Sequence, residues 1–483
     1  MKKLIIFFCI ALTFSLQAQE CNCTENFKWV KKTFEENDAG FSLVISKKGN
    51  SEYERLNKET LAQIADITDK DKCAESIVSW LKFFRKAHFS FNVNENETTA
   101  SQGEAPKLAV RNDWEKFAIT DKQLEKYMAK IDGTTPEGIW TMAPYTVAIV
   151  KKETGYVGFI VDGGGTPWQK KQIKLRFSIN EKTNVYKGVI YLRNYFDYKF
   201  DKAELIGYNH LLLDKGFLLT RKDIKKQDSE VLNKYLNLIS TNGAALKKYS
   251  ETTMYMRIPS FESNQKEIID SIIDANKGAL TATKNLIIDL RGNGGGSDSS
   301  YNNIIPLLYT NPIRIIPTEF LSTPLNNRRY EEWLKEEGLL EQDKKVITER
   351  LKKLNDNLGK FVGMYDDKVF VQREDTIYRY PENVAILING SNGSTAEQFL
   401  LAAKQSRKVK LYGTTTMGVL DISNMYFVNS PDGNFELGYC LSKSRRIPDM
   451  AIDDKGIQPD FYMDADIPQY DWIDFAEKIM NNQ

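Results

Sequence analysis

Two glycine-rich loops hold the residues whose types and spacing suit catalysis. The first is Asp289-Leu290-Arg291-Gly292-Asn293-Gly294-Gly295-Gly296-Ser297, which follows the apolar run that begins at Asn285. Consecutive glycines let backbone N–H groups turn toward a ligand, because no Cβ blocks the approach. Phosphate binding is one chemistry that uses such a loop, but the pattern fails here. Ser297 stands where the last glycine of Gly-x-Gly-x-x-Gly belongs, and the Walker lysine is missing. An oxyanion hole is the other, with the N–H groups stabilising charge that develops on a carbonyl oxygen. A tight structural turn is the bland alternative.

The second loop is Asn389-Gly390-Ser391-Asn392-Gly393-Ser394-Thr395-Ala396-Glu397, after the apolar run Val384 to Ile388. Ala396, Phe399, Leu400 and Ala403 fall on one helical face, so Ser394 sits at a helix start behind a glycine. Helix N–H groups and the macrodipole there favour a nucleophilic oxygen and its negatively charged intermediate. Ser394-Thr395-Ala396-Glu397 is equally a capping box, in which the hydroxyl is spent on the helix backbone. Ser391 is a competing nucleophile, further from the helix.

A serine needs a base, and the chain offers only two histidines, His88 and His210. His88, in Lys86-Ala87-His88-Phe89-Ser90, ends a helical pattern and opens an alternating one. His210 lies in an apolar run and is read as structural. Two histidines rule out a His-rich metal site, and Cys21-Asn22-Cys23 lacks zinc spacing. No metal and no cofactor are expected.

The elements that must position these residues read as four segments. Residues 1–19 have a charged start at Lys2 and Lys3, an apolar core from Leu4 to Leu16, and Ala18 near the end, the pattern of a secretory signal peptide. Thirteen residues fall short of the roughly 20 needed to span a bilayer, and no later stretch approaches that length. A periplasmic or secreted location follows, with no integral membrane segment in the mature chain. Residues 20–95 form a helical domain, with Ile77, Trp80, Leu81 and Phe84 on one face. The polar stretch from Asn94 to Pro106 reads as a linker. Residues 106–250 are β-rich, with short strands and frequent turns that suggest a small barrel or sandwich. Residues 251–470 alternate strands with helices, an α/β domain. Residues 327–357 form a charged helical insertion read as a solvated pair, a lid being the minority option.

The 483 residues carry 66 Lys+Arg against 65 Asp+Glu, a formal charge of +1, so no basic field supports a nucleic-acid partner. Removing the leader takes away Lys2, Lys3 and Cys9. The remaining cysteines are Cys21, Cys23, Cys73 and Cys440, and export would permit Cys73 to pair with Cys21 or Cys23. The approach Ala18-Gln19-Glu20 is poor for lipidation at Cys21.

Asn285 to Gly296 and Val384 to Glu397 together resemble the two core motifs of the tail-specific, or C-terminal processing, serine peptidases. Gly456-Ile457-Gln458-Pro459-Asp460 resembles that family's closing Gly-x-x-Pro-Asp element. The resemblance covers Tyr255 to Asp460 well and the helical N-terminus more loosely. It implies a ClpP/crotonase-like core, a peptide or protein substrate, and Ser394 as nucleophile. Many members pair the serine with a lysine, and Val419 occupies that place here. The chain is closer to the tricorn-core-like branch, which pairs the serine with a histidine from the N-terminal segment and a late acid. Carried over, these are His88 and Asp453 or Asp454, aspartate standing where the branch has glutamate. The oxyanion donors fall on the N–H of Gly294 or Gly295 and of Thr395. No PDZ pattern separates His88 from Tyr255.

The expected activity is therefore that of an exported serine endopeptidase, with His88 as general base and an aspartate on the far imidazole nitrogen. The rival is a catalytically inactive peptide- or lipid-binding member of the same fold. A nucleotide-dependent enzyme rests on the glycine loop alone.

Overall fold

The computed structural model describes residues 21–94, 110–153, 155–180, 185–214, 217–239, 243–365, 367–463 and 466–482. The leader assigned to residues 1–19, and the linker apart from Asn94 and beyond to Pro106, lie outside the described residues. The chain divides into two units, residues 1–98 with 248–462 and residues 99–247 with 463–483.

The first unit begins with four helices, α1 (Cys23–Asn37), α2 (Phe41–Lys48), α3 (Asn50–Ile64) and α4 (Lys70–Leu81). Their apolar faces converge on Trp80, whose ring meets Phe27 and Phe34 edge-on at 5.4 and 5.8 Å. The indole N–H donates to Asn57 Oδ1 at 2.9 Å, so the buried polar edge is satisfied. A Cys23–Cys73 disulfide joins α1 to α4. The helices lead into a short strand, β1 (Ser90–Val93).

The same unit continues with β2 (Thr253–Arg257), α5 (Lys266–Leu280) and β3 (Asn285–Asp289). Next come β4 (Thr318–Leu321), α6 (Pro324–Trp333), α7 (Glu341–Asn355), β5 (Phe361–Gly363) and β6 (Asn383–Ile388). The last elements are α8 (Thr395–Ala403), β7 (Val409–Gly413), β8 (Ile422–Asn429), β9 (Phe435–Ser444) and β10 (Phe461–Tyr462). Strands β2, β3, β6, β7 and β10 pair in parallel in that order. All five residues of β3 are buried, as an apolar strand covered on both faces requires.

A second, antiparallel sheet runs β1–β9–β4–β5, with β8 also on β9. Ser90 pairs with Gly438 and Phe91 with Leu437, so the chain just after His88 is zipped onto a strand some 350 residues later. Phe435, Leu437, Tyr439 and Leu441 of β9 join the helical core. The insertion expected at residues 327–357 contains a helical pair, α6 and α7, mostly exposed along α7 but with one face buried. Strands β4 and β5 on either side weave it into this sheet, and Tyr330, Leu354 and Val362 form a buried cluster.

The second unit contains a closed eight-stranded antiparallel barrel, from Gly138–Met142 to Phe217–Arg221. Trp140, Val147, Ile149, Leu175, Leu211, Leu213 and Leu219 fill it. A helix at Trp472–Asn481 clusters with this unit. It buries Trp472, Ile473, Ala476 and Met480. His210 lies 3.3 Å from Asp228 in the barrel unit, a structural position.

Candidate active site

The glycine loop is set by the end of β3. Asp289 is fully buried and takes Arg291 Nε and Nη2 at 2.9 and 2.7 Å and the Tyr255 hydroxyl at 2.8 Å. Although burial opposes ionisation, these donors and the Arg291 and Arg257 charges hold its carboxyl well below the usual range. Beyond it Asn293 turns the chain, its Oδ1 accepting the N–H of Gly295 at 2.9 Å. Gly295 has φ +112°, and a Cβ there would lie 2.8 Å from Ser394 Cβ and 2.9 Å from Thr395 N. Only glycine allows that approach. Gly294 faces open space, and its N–H meets no acceptor among the described residues.

The serine loop is tied to it by Asn392, whose amide nitrogen donates to the carbonyls of Leu290 and Asn293. Thr395 Oγ1 donates to Gly296 O at 2.8 Å, a second tie. Ser394, the N-cap residue of α8, has φ +54° and ψ −125° and makes no side-chain cap hydrogen bond. The capping box is not formed: buried Glu397 accepts the N–H groups of Gly418 and Val419 and the Thr416 hydroxyl, and the Ser394 hydroxyl caps nothing. A non-glycine residue in that region is strained by about 1–3 kcal/mol, and such strain gathers at reactive elbows. Thr395 N–H, at the first turn of α8, also has no acceptor among the described residues.

Ser394, Thr395, Gly294, Gly295 and His88 line one cavity. No lysine lines it. Val419 packs against Gly393, where a Cβ would meet its Cγ2 at 2.8 Å, and offers no proton acceptor. Ser391 is not among the lining residues.

His88 has φ +60°, and its carbonyl accepts Arg85 Nε and Nη2 at 3.1 and 2.8 Å. Arg85 in turn forms a two-point ion pair with Asp38. The imidazole Nδ1 lies 2.7 Å from the Ile422 carbonyl oxygen. A carbonyl only accepts, so Nδ1 carries the proton and Nε2 keeps its lone pair. Burial pushes the ring pKa down, and the Arg85 charge adds to this, against the raising effect of the Ile422 carbonyl.

The expected contact between an aspartate and the far imidazole nitrogen is not formed. Asp453 Oδ1 accepts the N–H of Leu420 at 2.7 Å and of Asp421 at 2.6 Å, and Oδ2 accepts that of Ile422 at 3.2 Å. Three convergent backbone donors outcompete a ring whose Nδ1 already has a carbonyl. Asp421 reciprocates, accepting the amides of Ile452 and Asp453 and the Arg446 guanidinium. Asp454 is exposed and lies 3.8 Å from Lys86. Of the two glycine N–H groups, that of Gly295 donates to Asn293 Oδ1, which leaves Gly294 to face the cavity. Arg85, Asp38, Asn392 and Ile422 were not legible as site residues. Of these, only Asn392, an asparagine directly before Gly393, carries a local signal.

Peptidase family S41 matches residues 252–463. No curated protein matches the chain. Among solved structures, mature CPAF complexed with lactacystin aligns over 96% of this chain and 99% of its own, with 11% identity and a TM-score of 0.52. The photosystem II D1 C-terminal processing protease aligns over 95% and 97%, with 12% identity and a TM-score of 0.40. The tricorn protease aligns over 95% of this chain and 36% of its own, with 13% identity and a TM-score of 0.41. At these identities the likeness to CPAF is one of fold. The family match spans β2 to β10 and so takes in both loops, and on it residues 252–463 belong to peptidase family S41, which makes this chain a serine-type peptidase.

Proposed function

We propose that the chain is an exported endopeptidase that cleaves peptide bonds through an acyl-enzyme on Ser394, with His88 as general base. The observation that carries this reading is the uncapped Ser394 hydroxyl on a strained backbone, in one cavity with a histidine whose proton is fixed on Nδ1. Nε2 takes the Ser394 proton as Oγ attacks the scissile carbonyl carbon. The developing oxyanion sits against the N–H groups of Gly294 and Thr395. The imidazolium formed is stabilised by the Ile422 carbonyl rather than by a carboxylate. Collapse breaks the C–N bond, the leaving nitrogen takes the proton from Nε2, and water then releases the acyl group by the same steps in reverse order.

Support for a ClpP/crotonase-like core comes from repeated strand–loop–helix crossovers on the parallel sheet. Support for the histidine-using branch comes from Val419 in the lysine position. Export rests on the leader pattern in residues 1–19, and the Cys23–Cys73 pair suits an oxidising compartment.

A fluorophosphonate probe tests the reading. Labelling at Ser394 that is lost in Ser394→Ala and reduced in His88→Ala supports it. An unlabelled, folded wild-type chain refutes it and favours the inactive peptide- or lipid-binding alternative.

A further inference from the structure

The cavity that contains Ser394 has a wall with chemistry of its own. Its volume is about 1290 Å3, enough for several residues of a peptide, and the insertion contributes Arg329, Tyr330, Trp333 and Arg350. The Arg329 guanidinium carbon lies 4.6 Å from the Trp333 ring centroid, and that of Arg350 lies 5.8 Å from the Tyr365 ring. Stacking of this kind holds a guanidinium plane while leaving its edge for a ligand.

Neither arginine is ion-paired with a carboxylate among the described residues. Arg446, a third arginine on the lining, is paired with Asp421 at 2.9 Å. Arg350 has one long contact to the Tyr365 hydroxyl, at 3.4 Å. Arg329 Nη1 is buried with no hydrogen-bond partner, and burial pushes its pKa down. A buried cation without a counter-charge is costly, and a bidentate carboxylate is the ligand whose geometry offsets that cost.

We propose that Arg329 and Arg350 form a subsite for a carboxylate of the peptide substrate. This rests on the reading of the cavity as a peptidase site. An acidic side chain and a free C-terminus present the same group.

Peptide binding to the Ser394→Ala chain tests the subsite without requiring turnover. Fluorescence anisotropy is measured with labelled, C-terminally amidated peptides that carry Glu or Gln at successive positions. A second pair compares a free with an amidated C-terminus on a Gln peptide. The expected result is about tenfold tighter binding of one carboxylate form. Arg329→Gln and Arg350→Gln should each bring that ratio below about threefold without weakening the neutral peptide. Preference in the first comparison identifies a side chain, and in the second a terminus. Equal binding of all forms, no binding, or a preference that both variants retain overturns the subsite. Should Arg329→Gln fail to fold, Arg350→Gln decides the matter. Labelled Ser394 with charge-blind binding sinks the subsite alone. Charge-selective binding with an inert Ser394 sinks the hydrolytic reading alone.

Discussion

The imidazole of His88 is held by the backbone carbonyl of Ile422, 2.7 Å from Nδ1, and not by a carboxylate. Asp453 acts one step behind, accepting the amides of Leu420, Asp421 and Ile422 and so fixing the peptide that presents this carbonyl. Asp453→Asn turns one acceptor oxygen into a donor facing those amides. We expect kcat to fall about ten- to hundredfold with KM unchanged, the range for groups that orient a functional side chain without touching the reacting atoms. A triad carboxylate in direct contact costs about 10⁴. A loss of that size in steady-state kinetics would return Asp453 to the ring.

Activity should have an acid limb with two contributions. Burial, with Asp421 nearby, raises the Asp453 carboxyl to about 6 against the opposing backbone amides. Below that pH it takes up a proton and its grip on the Leu420–Ile422 peptides weakens. His88 is depressed by burial, so it stays a neutral base until the pH is below its ordinary range. Both protonations act against turnover, and kcat/KM should therefore fall on acidification more steeply than one proton allows. In Asp453→Asn a single-proton limb from His88 should remain. A wild-type limb with unit slope centred above pH 7 contradicts both assignments.

How far the sequence carries depends on the range of each interaction. The two loops were legible because a buried strand, a glycine run and a helix start are local patterns. Ser394 could be read either as a cap or as a nucleophile, and only its backbone angles decide between them. That Asp453 turns from the ring to the amides of residues 420–422 is not legible locally, because those competitors lie some thirty positions away. Gly294 and Gly295 look alike in sequence, and the Asn293 side chain breaks the tie. The insertion reads as charged and solvated because its helices do expose most of their length. The face bearing Arg329 and Tyr330 is defined only once β4 and β5 pin its ends.

Gly295 and Gly294 should respond differently to alanine. At Gly295 the added Cβ meets Ser394 Cβ at 2.8 Å and Thr395 N at 2.9 Å, on a backbone at φ +112°. We expect about 1–3 kcal/mol of lost stability and at least about a hundredfold loss in kcat, since the serine must shift. At Gly294 nothing lies within 4 Å, and the melting temperature should hold. Equal melting and equal activity for the two variants would show that the close approach to Ser394 is not needed.

The Arg85–Asp38 pair allows positioning and stability to be separated. Both side chains are largely or wholly buried, and Asp38 also accepts the amides of Gly40 and Cys440. Arg85→Leu strands the Asp38 carboxylate and should cost about 3–5 kcal/mol in denaturant unfolding. Adding Asp38→Leu removes the stranded charge, so part of that loss should return. His88 gains nothing from the second change, because its carbonyl has lost both guanidinium donors and keeps only the Cys440 thiol, at 3.3 Å. The double variant should therefore regain stability while its kcat stays as low as that of Arg85→Leu. Recovery of activity in step with stability would mean that Arg85 serves His88 only through the fold, and the backbone at φ +60° would then need another explanation.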